Sequence, residues 1–173
     1  MFLNPRDVVG HMPLRAGQRV ADFGAGEGQY ALLLAERVGP EGAVYALDAR
    51  EESVTCVRGL CVKTEVHNVL PVQANFNTRL PLRDALLDLG LLVNTLHAVY
   101  ERTQFLHELS RVLKPAGSVL VVEWAASFNN MGPHRDDAVA PGEAVRLFRA
   151  QGFSVGPMLP AGSHHYAFVA QKS

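Results

Sequence analysis

Residues 20–30 read VADFGAGEGQY, an apolar run that ends in three glycines within five positions, Gly24, Gly26 and Gly28. Glycine loses more freedom on folding than any other residue. Such a cluster therefore belongs where the backbone must turn left-handed or pass close to something bulky. The run before it reads as a strand. The stretch behind it, QYALLLAERV, reads as a helix whose apolar residues wrap nearly all round, as in a helix packed on a sheet. A strand, a glycine turn and a helix in that order open a parallel α/β sheet, and the loop leaves the carboxyl end of the strand, where such sheets hold their ligands.

The rest of the chain repeats the alternation. PRDVVGHM is expected as a short helix opened by Pro5, AVYALD as a second strand, and EESVTCVRGLCVKT as a helix. VHNVLPVQAN contains a third strand, in which Pro71 suits the first residues or an edge position. ALLDLGLLVN is almost wholly apolar and reads as a fourth strand buried on both faces. In RTQFLHELSRVLKPAG, Phe105, Leu109, Val112 and Leu113 share one helical face, and Lys114 with the following Pro-Ala-Gly ends that helix. SVLVVEW is the fifth strand and PGEAVRLFRAQG a last helix, with Gly152 past its end. FSVGPML and HHYAFVAQ meet across PAGS as a hairpin, which adds an antiparallel edge. With no repeat or linker, residues 1–173 are expected to form one domain.

Composition excludes more than it assigns. The formal charge is −1, so no overall field draws the chain to nucleic acid or to an anionic membrane. No stretch reaches the roughly 18 uninterrupted apolar residues of a membrane span, and MFLNPRDVVGHMPLR lacks the apolar stretch of a signal peptide. Cys56 and Cys61 lie five apart without a CxxC; they read as buried thiols in a reducing cytoplasm, with no metal site and no disulfide.

Two nucleotide ligands compete for the glycine loop. The dinucleotide fingerprint is GxGxxG, but here Gln29 stands at its last position and Asp22 precedes the loop, a poor neighbour for a diphosphate. A carboxylate there suits a cation. VADFGAGEG resembles the first motif of the class I S-adenosylmethionine-dependent methyltransferases, an acidic residue followed by GxGxG. VYALD resembles that family's second strand ending in an acid, LPLRDALLDLGLLVNTLH its fourth-strand region, and LHELSRVLKPAGSVLVVEW its next helix and fifth strand. The similarity runs along nearly the whole chain and is closest to small members related to ubiquinone- and menaquinone-biosynthesis methyltransferases. It implies a Rossmann-like α/β sheet of order 3-2-1-4-5-7-6 with strand 7 antiparallel, in agreement with the hairpin.

The resemblance also implies cofactor contacts. Gly24, Ala25 and Gly26, followed by Gly28, would let the backbone pass beneath the methionine part of S-adenosylmethionine, while Asp22 faces its ammonium. Asp48 would accept from both ribose hydroxyls, for which a carboxylate has two acceptor oxygens. Asn75 stands where the family often carries an acid near the adenine amino group, Phe76 is placed to stack on adenine, and Asn94 lies near the methionine end. Tyr30 is a further lining residue. The product would be S-adenosylhomocysteine.

Methyl transfer from a sulfonium is an in-line displacement in which the cofactor carries the reactive group and the protein aligns the partners. A base is needed only where the nucleophile must lose a proton. The candidates are His97, after the fourth strand, and Glu123, closing the fifth. His134 in the polar loop and His165 opening the last strand are candidates on the substrate side. No N-P-P-Y tetrapeptide follows the fourth strand, where amino-nitrogen methylases carry it, and no cysteine lies there for thiol-dependent arsenic chemistry. A small-molecule acceptor is expected. Only the N-terminal helix and the loop 125–140 are left to cap the site, so it is open, closed by a homodimer partner, or shaped for a large substrate. A non-catalytic cofactor-binding or assembly protein on a degenerate methyltransferase fold, and third a dinucleotide oxidoreductase, are the alternative readings.

Overall fold

The computed structural model describes residues 3–128 and 131–173. Seven strands form one sheet: β1 (Arg19–Phe23), β2 (Ala43–Asp48), β3 (Val69–Gln73), β4 (Leu87–Val93), β5 (Leu113–Trp124), β6 (Phe153–Leu159) and β7 (His165–Lys172). Their order is β3-β2-β1-β4-β5-β7-β6. The four pairings outward from β1 as far as β3 and β5 are parallel, and β7 runs antiparallel between β5 and β6. This is the order that the sequence resemblance implies.

Helices cover both faces. On one lie α1 (Pro5–Gly10), α2 (Gln29–Val38) and α3 (Glu51–Thr64), and on the other α4 (Arg102–Val112) and α5 (Pro141–Ala150). The near-continuous apolar surface of α2 is explained by its two neighbours, the sheet and α1, which share a core around Val8, Val9, Leu34 and Val38. On the opposite face Phe105, Leu106, Leu109 and Val112 of α4 are fully buried, each stabilising the fold by roughly 1.5–3 kcal/mol. Strand β4 is buried on both sides, and Pro71 sits in β3 at the sheet edge, where its missing N–H leaves no ladder bond unmade.

Two expectations need correction. The fifth strand begins at Leu113, not Ser118: Leu113 pairs with Leu87 and Ser118 with Leu89, and Lys114–Gly117 bulges out between the two pairings. Ala116 takes φ +59°, and a side chain on Gly117 would meet the Lys114 carbonyl oxygen at 2.9 Å, so the Pro-Ala-Gly residues shape a bulge within a strand. The two thiols also differ. Cys61 is buried against the sheet, but Cys56 is exposed, one helical step off the buried stripe Val54–Val57–Cys61.

Candidate functional site

The site is built at the carboxyl ends of β1, β2, β4 and β5. Leaving β1, the chain donates two backbone N–H groups, from Gly24 (2.8 Å) and Ala25 (2.9 Å), to the Leu47 carbonyl at the end of β2. Gly24, Gly26 and Gly28 all take positive φ, of 84°, 54° and 88°. At Gly24 the need for glycine is steric as well, because a Cβ there would clash with Thr95 Oγ1. That hydroxyl donates to the Phe23 carbonyl at 2.8 Å and ties the end of β1 to the segment after β4. Gly28 plays another part: it caps α2 and faces Val57 and Leu60 of α3, away from the cavities at the strand ends.

Asp48 ends β2 and organises this loop. Its Oδ2 accepts the Gly26 N–H at 2.9 Å, and its Oδ1 accepts the Arg50 N–H at 3.0 Å and Arg50 Nε at 3.2 Å. Burial would raise its pKa, but the hydrogen bonds from the Arg50 side chain and from the Arg50 and Gly26 N–H groups outweigh burial and hold the carboxyl below its ordinary range. Asp48 is only 6% exposed, so the strand-end acid is part of the loop's structure as well as its rim.

Asp22, one strand away, is in the opposite condition. It lies buried under the start of α2, and its Oδ2 has no hydrogen-bond partner among the described residues. Burial first, and then the charge of Asp48, push its pKa up to about 7, against a smaller lowering by the Ala31 N–H. Burial and the nearby Asp22 charge push the Tyr30 phenol up to about 12. A buried acid with a spare oxygen is a receptor for positive charge.

Two cavities open above these residues and share Gly24 and Asn94. The first, of about 310 Å3, is bounded by Asp48, Arg50, Asn75, Phe76 and Thr95. Asn75 Oδ1 accepts the Asn77 N–H at 2.9 Å, while Asn77 Oδ1 accepts from Tyr100 and Glu101, which fastens the floor to the segment after β4. Phe76 both lines the cavity and packs into the core, its ring 6.3 Å from Phe23 and 5.4 Å from Phe105. The second cavity, of about 440 Å3, is bounded by Ala25, Tyr30, Asn94, Trp124 and His165. Asn94 takes φ +53° and its buried Oδ1 has no partner among the described residues. The His165 ring lies 4.1 Å from that of Trp124, and burial, partly offset by the Glu123 charge, lowers its pKa.

Of the sequence candidates, the structure brings Gly24, Ala25, Tyr30, Asp48, Asn75, Phe76, Asn94 and His165 to the cavity walls and sets Asp22 beneath them. Gly26 serves through its N–H to Asp48. His97 and Glu123 meet, with Nδ1 to Oε1 at 2.9 Å. His134 does not join them; it is exposed and faces Asp136 of its own turn at 3.6 Å. The sequence reading missed Thr95, Arg50 and Trp124. Arg50 had a signal in its place two residues past Asp48. Thr95 had none, because its role depends on a contact with Gly24 across the sheet. Among the described residues no cluster of His, Cys, Asp and Glu is suited to hold a metal, and no helix is long and apolar enough to cross a membrane.

The order of the sheet, the strand-end acids and the glycine cradle define an α/β protein with a site fitted to a nucleoside that carries a cationic tail. The chain belongs to a methyltransferase family: a family model described as a methyltransferase domain matches residues 21–121. It is 31% identical over 112 residues to a demethylmenaquinone methyltransferase of Listeria monocytogenes (65% of this chain, 47% of the relative). It is 29% identical over 128 residues to the ubiquinone/menaquinone biosynthesis C-methyltransferase UbiE of Bordetella avium (74% and 49%). The chain thus spans about half the length of these curated relatives. Among solved structures, an SAM-dependent methyltransferase from Aquifex aeolicus superposes with a TM-score of 0.92 at 28% identity, covering 99% of this chain and 91% of that one.

Proposed function

We propose that the chain is a cytoplasmic S-adenosylmethionine-dependent methyltransferase acting on a small molecule. One observation carries the reading: two acids at adjacent strand ends flank a glycine cradle, one at a cavity rim and one buried with an oxygen unpaired among the described residues. Asp48 with Arg50, Asn75 and Phe76 would hold the nucleoside, and Asp22 would balance the ammonium from below. When bound, the cofactor supplies an electrophilic methyl group on a sulfonium. Gly24 and Ala25 would keep the backbone low beneath its amino-acid part, and Asn94 would mark the junction of the two cavities. The second cavity, whose wall includes Ala25, would then be shared by the amino-acid part and the acceptor, and alignment there is the protein's main contribution. The names of the quinone-pathway relatives support a small-molecule acceptor.

Thermal shift and calorimetry with S-adenosylmethionine, S-adenosylhomocysteine and NAD test this. Saturable stabilisation that grows with either of the first two is expected. A response to NAD alone would point to an oxidoreductase. Cofactor binding without turnover across a screened metabolite set would point to a non-catalytic binding protein.

A further inference from the structure

Trp124 closes β5 and is the only tryptophan of the chain. Two neighbours from different parts of the molecule fix its ring. On β7, His165 is its register partner, and the His165 ring centroid lies 4.1 Å away at a tilt of 37°. On the segment that follows β5, Gly132 packs against the six-membered ring: a Cβ there would fall 2.9 Å from Cδ2 and 3.0 Å from Cε3. Gly132 also takes φ +84°, so the position requires glycine on both counts. The segment is itself fastened. Tyr166 Oη donates to the Val139 carbonyl at 3.0 Å and Arg102 Nη2 to the Asp137 carbonyl at 3.4 Å. An indole held in this way changes rotamer only by moving backbone or a second ring, which makes it a rigid wall.

The wall stands close to where the two cavities meet. Both cavities share Gly24 and Asn94. With the nucleoside in the first and the amino-acid part in the second, the sulfur that joins them belongs at that junction. Asn94 donates its N–H to the Val122 carbonyl at 2.9 Å, which sets the junction one strand away from the end of β5. Beyond Asn94, the second cavity is bounded by Val93, Trp124 and His165. A group carried on the sulfur and directed away from the glycine loop therefore runs toward Trp124. A soft wall would yield to a larger group, but a clamped ring excludes it by overlap.

We infer that Trp124 is a specificity-determining residue on the transfer side of the site, limiting the group on the cofactor's sulfur to the size of a methyl, with Gly132 and His165 as its positioning residues. This rests on the methyltransferase reading. Exclusion acts only on ligands that reach the ring. Removing the ring should therefore widen the range of ligands accepted without weakening those that stop short of it.

The test is calorimetry on the whole chain with three ligands: S-adenosylmethionine, its analogue with benzyl in place of the methyl, and S-adenosylhomocysteine, which has no third group on sulfur. Wild type should bind the S-benzyl analogue roughly 5- to 100-fold more weakly than S-adenosylmethionine. W124A should shrink that gap about fivefold or more, while S-adenosylhomocysteine affinity stays within about threefold of wild type. W124L keeps more apolar bulk and gives the same comparison where W124A does not fold. In G132A and in H165A the emission of the lone tryptophan should shift and the gap should change about threefold or more, whereas adding G132A to W124A should leave the gap unchanged. Independently of any variant, saturating S-adenosylmethionine should shield the wild-type emission from acrylamide quenching. A wild type that takes the S-benzyl analogue as well as S-adenosylmethionine, a W124A protein that binds S-adenosylhomocysteine but keeps the full gap, or unchanged quenching would overturn the inference. Unaltered emission in G132A or H165A would remove that residue from it. Failure of the wild type to bind any of the three ligands would instead overturn the reading on which it rests.

Discussion

Two acids stand one strand apart at the same end of the sheet, and their surroundings give them opposite characters. At the end of β2, Asp48 is wrapped by N–H donors and a guanidinium, which keep it ionised below the ordinary carboxylate range. At the end of β1, Asp22 is buried with one oxygen unpaired among the described residues, and its pKa is pushed up to about 7. The pair shows that residue type and position set where a charge can sit, while local donors decide whether it is complete without a ligand. Asp48 is satisfied by the loop. Asp22 keeps one oxygen without a partner among the described residues.

The largest effect should follow from breaking the satisfied acid. Asp48→Ala would remove the acceptor proposed for both ribose hydroxyls and also frees the Gly26 N–H, so S-adenosylmethionine affinity should fall roughly tenfold to several-hundredfold at 1.4 kcal/mol per decade. Asp48→Asn keeps one acceptor oxygen and should lose less. Calorimetric titration of both folded variants measures the gap, and wild-type affinity in Asp48→Ala would remove this acid from the site.

Next comes the unsatisfied acid. A cationic ligand favours ionised Asp22, so binding below pH of about 7 must release its proton, and affinity should fall by up to about tenfold per pH unit there. Asp22→Asn should flatten that dependence, and a titration series from pH 5.5 to 8.5 reads it; an unchanged slope would sink the idea. The stability of the ligand-free protein has the reverse sign. Between the ordinary value of 3.8 and about 7 the folded protein holds a proton that the unfolded chain has lost, so stability falls as pH rises through that window and stays lower above it. Asp22→Asn should therefore raise the unfolding free energy at pH 8 by about 1–3 kcal/mol in a denaturant titration. Asp48 contributes in the other direction: its lowered pKa adds stability above the ordinary value that is lost as acid protonates it.

Arg50→Ala sharpens the contrast more gently. The guanidinium is mostly exposed, and exposed pairs contribute about 0.2–1 kcal/mol, so cofactor affinity should change less than about fivefold in either direction. The Asp48 carboxyl resonance should titrate at higher pH in the variant, and an unmoved titration would mean that Arg50 does not hold this acid down. The smallest effect is expected on α3, away from both strand ends. Replacing Cys56 and Cys61 with Ser and Ala should leave affinity unchanged, with a small stability loss traceable to buried Cys61 alone.

The alternation of strands and helices was legible because burial periodicity is a local property. The bulge at Lys114–Gly117 was not, since Pro-Ala-Gly after a helix reads as a terminator unless Leu113 is known to pair with Leu87 across the sheet. The site divides the same way. Asp22, Gly24 and Asp48 could be placed because each sits at a fixed offset from a strand end. His97 and Glu123 appeared only as separate candidates, 26 residues apart, and their 2.9 Å contact exists only because β4 and β5 are neighbours.

The sequence by itself determined the strand ends and the residue types that stand there, since both follow from short-range pattern and backbone chemistry. The tertiary structure alone decided what each of those groups touches. Thr95 filling the space a side chain at 24 would need, and Asp22 left with an oxygen unpartnered among the described residues, depend on distances between segments far apart in the chain. Those distances come from the sheet order and its packed helices, and with them come the charges, the donors and the pKa values.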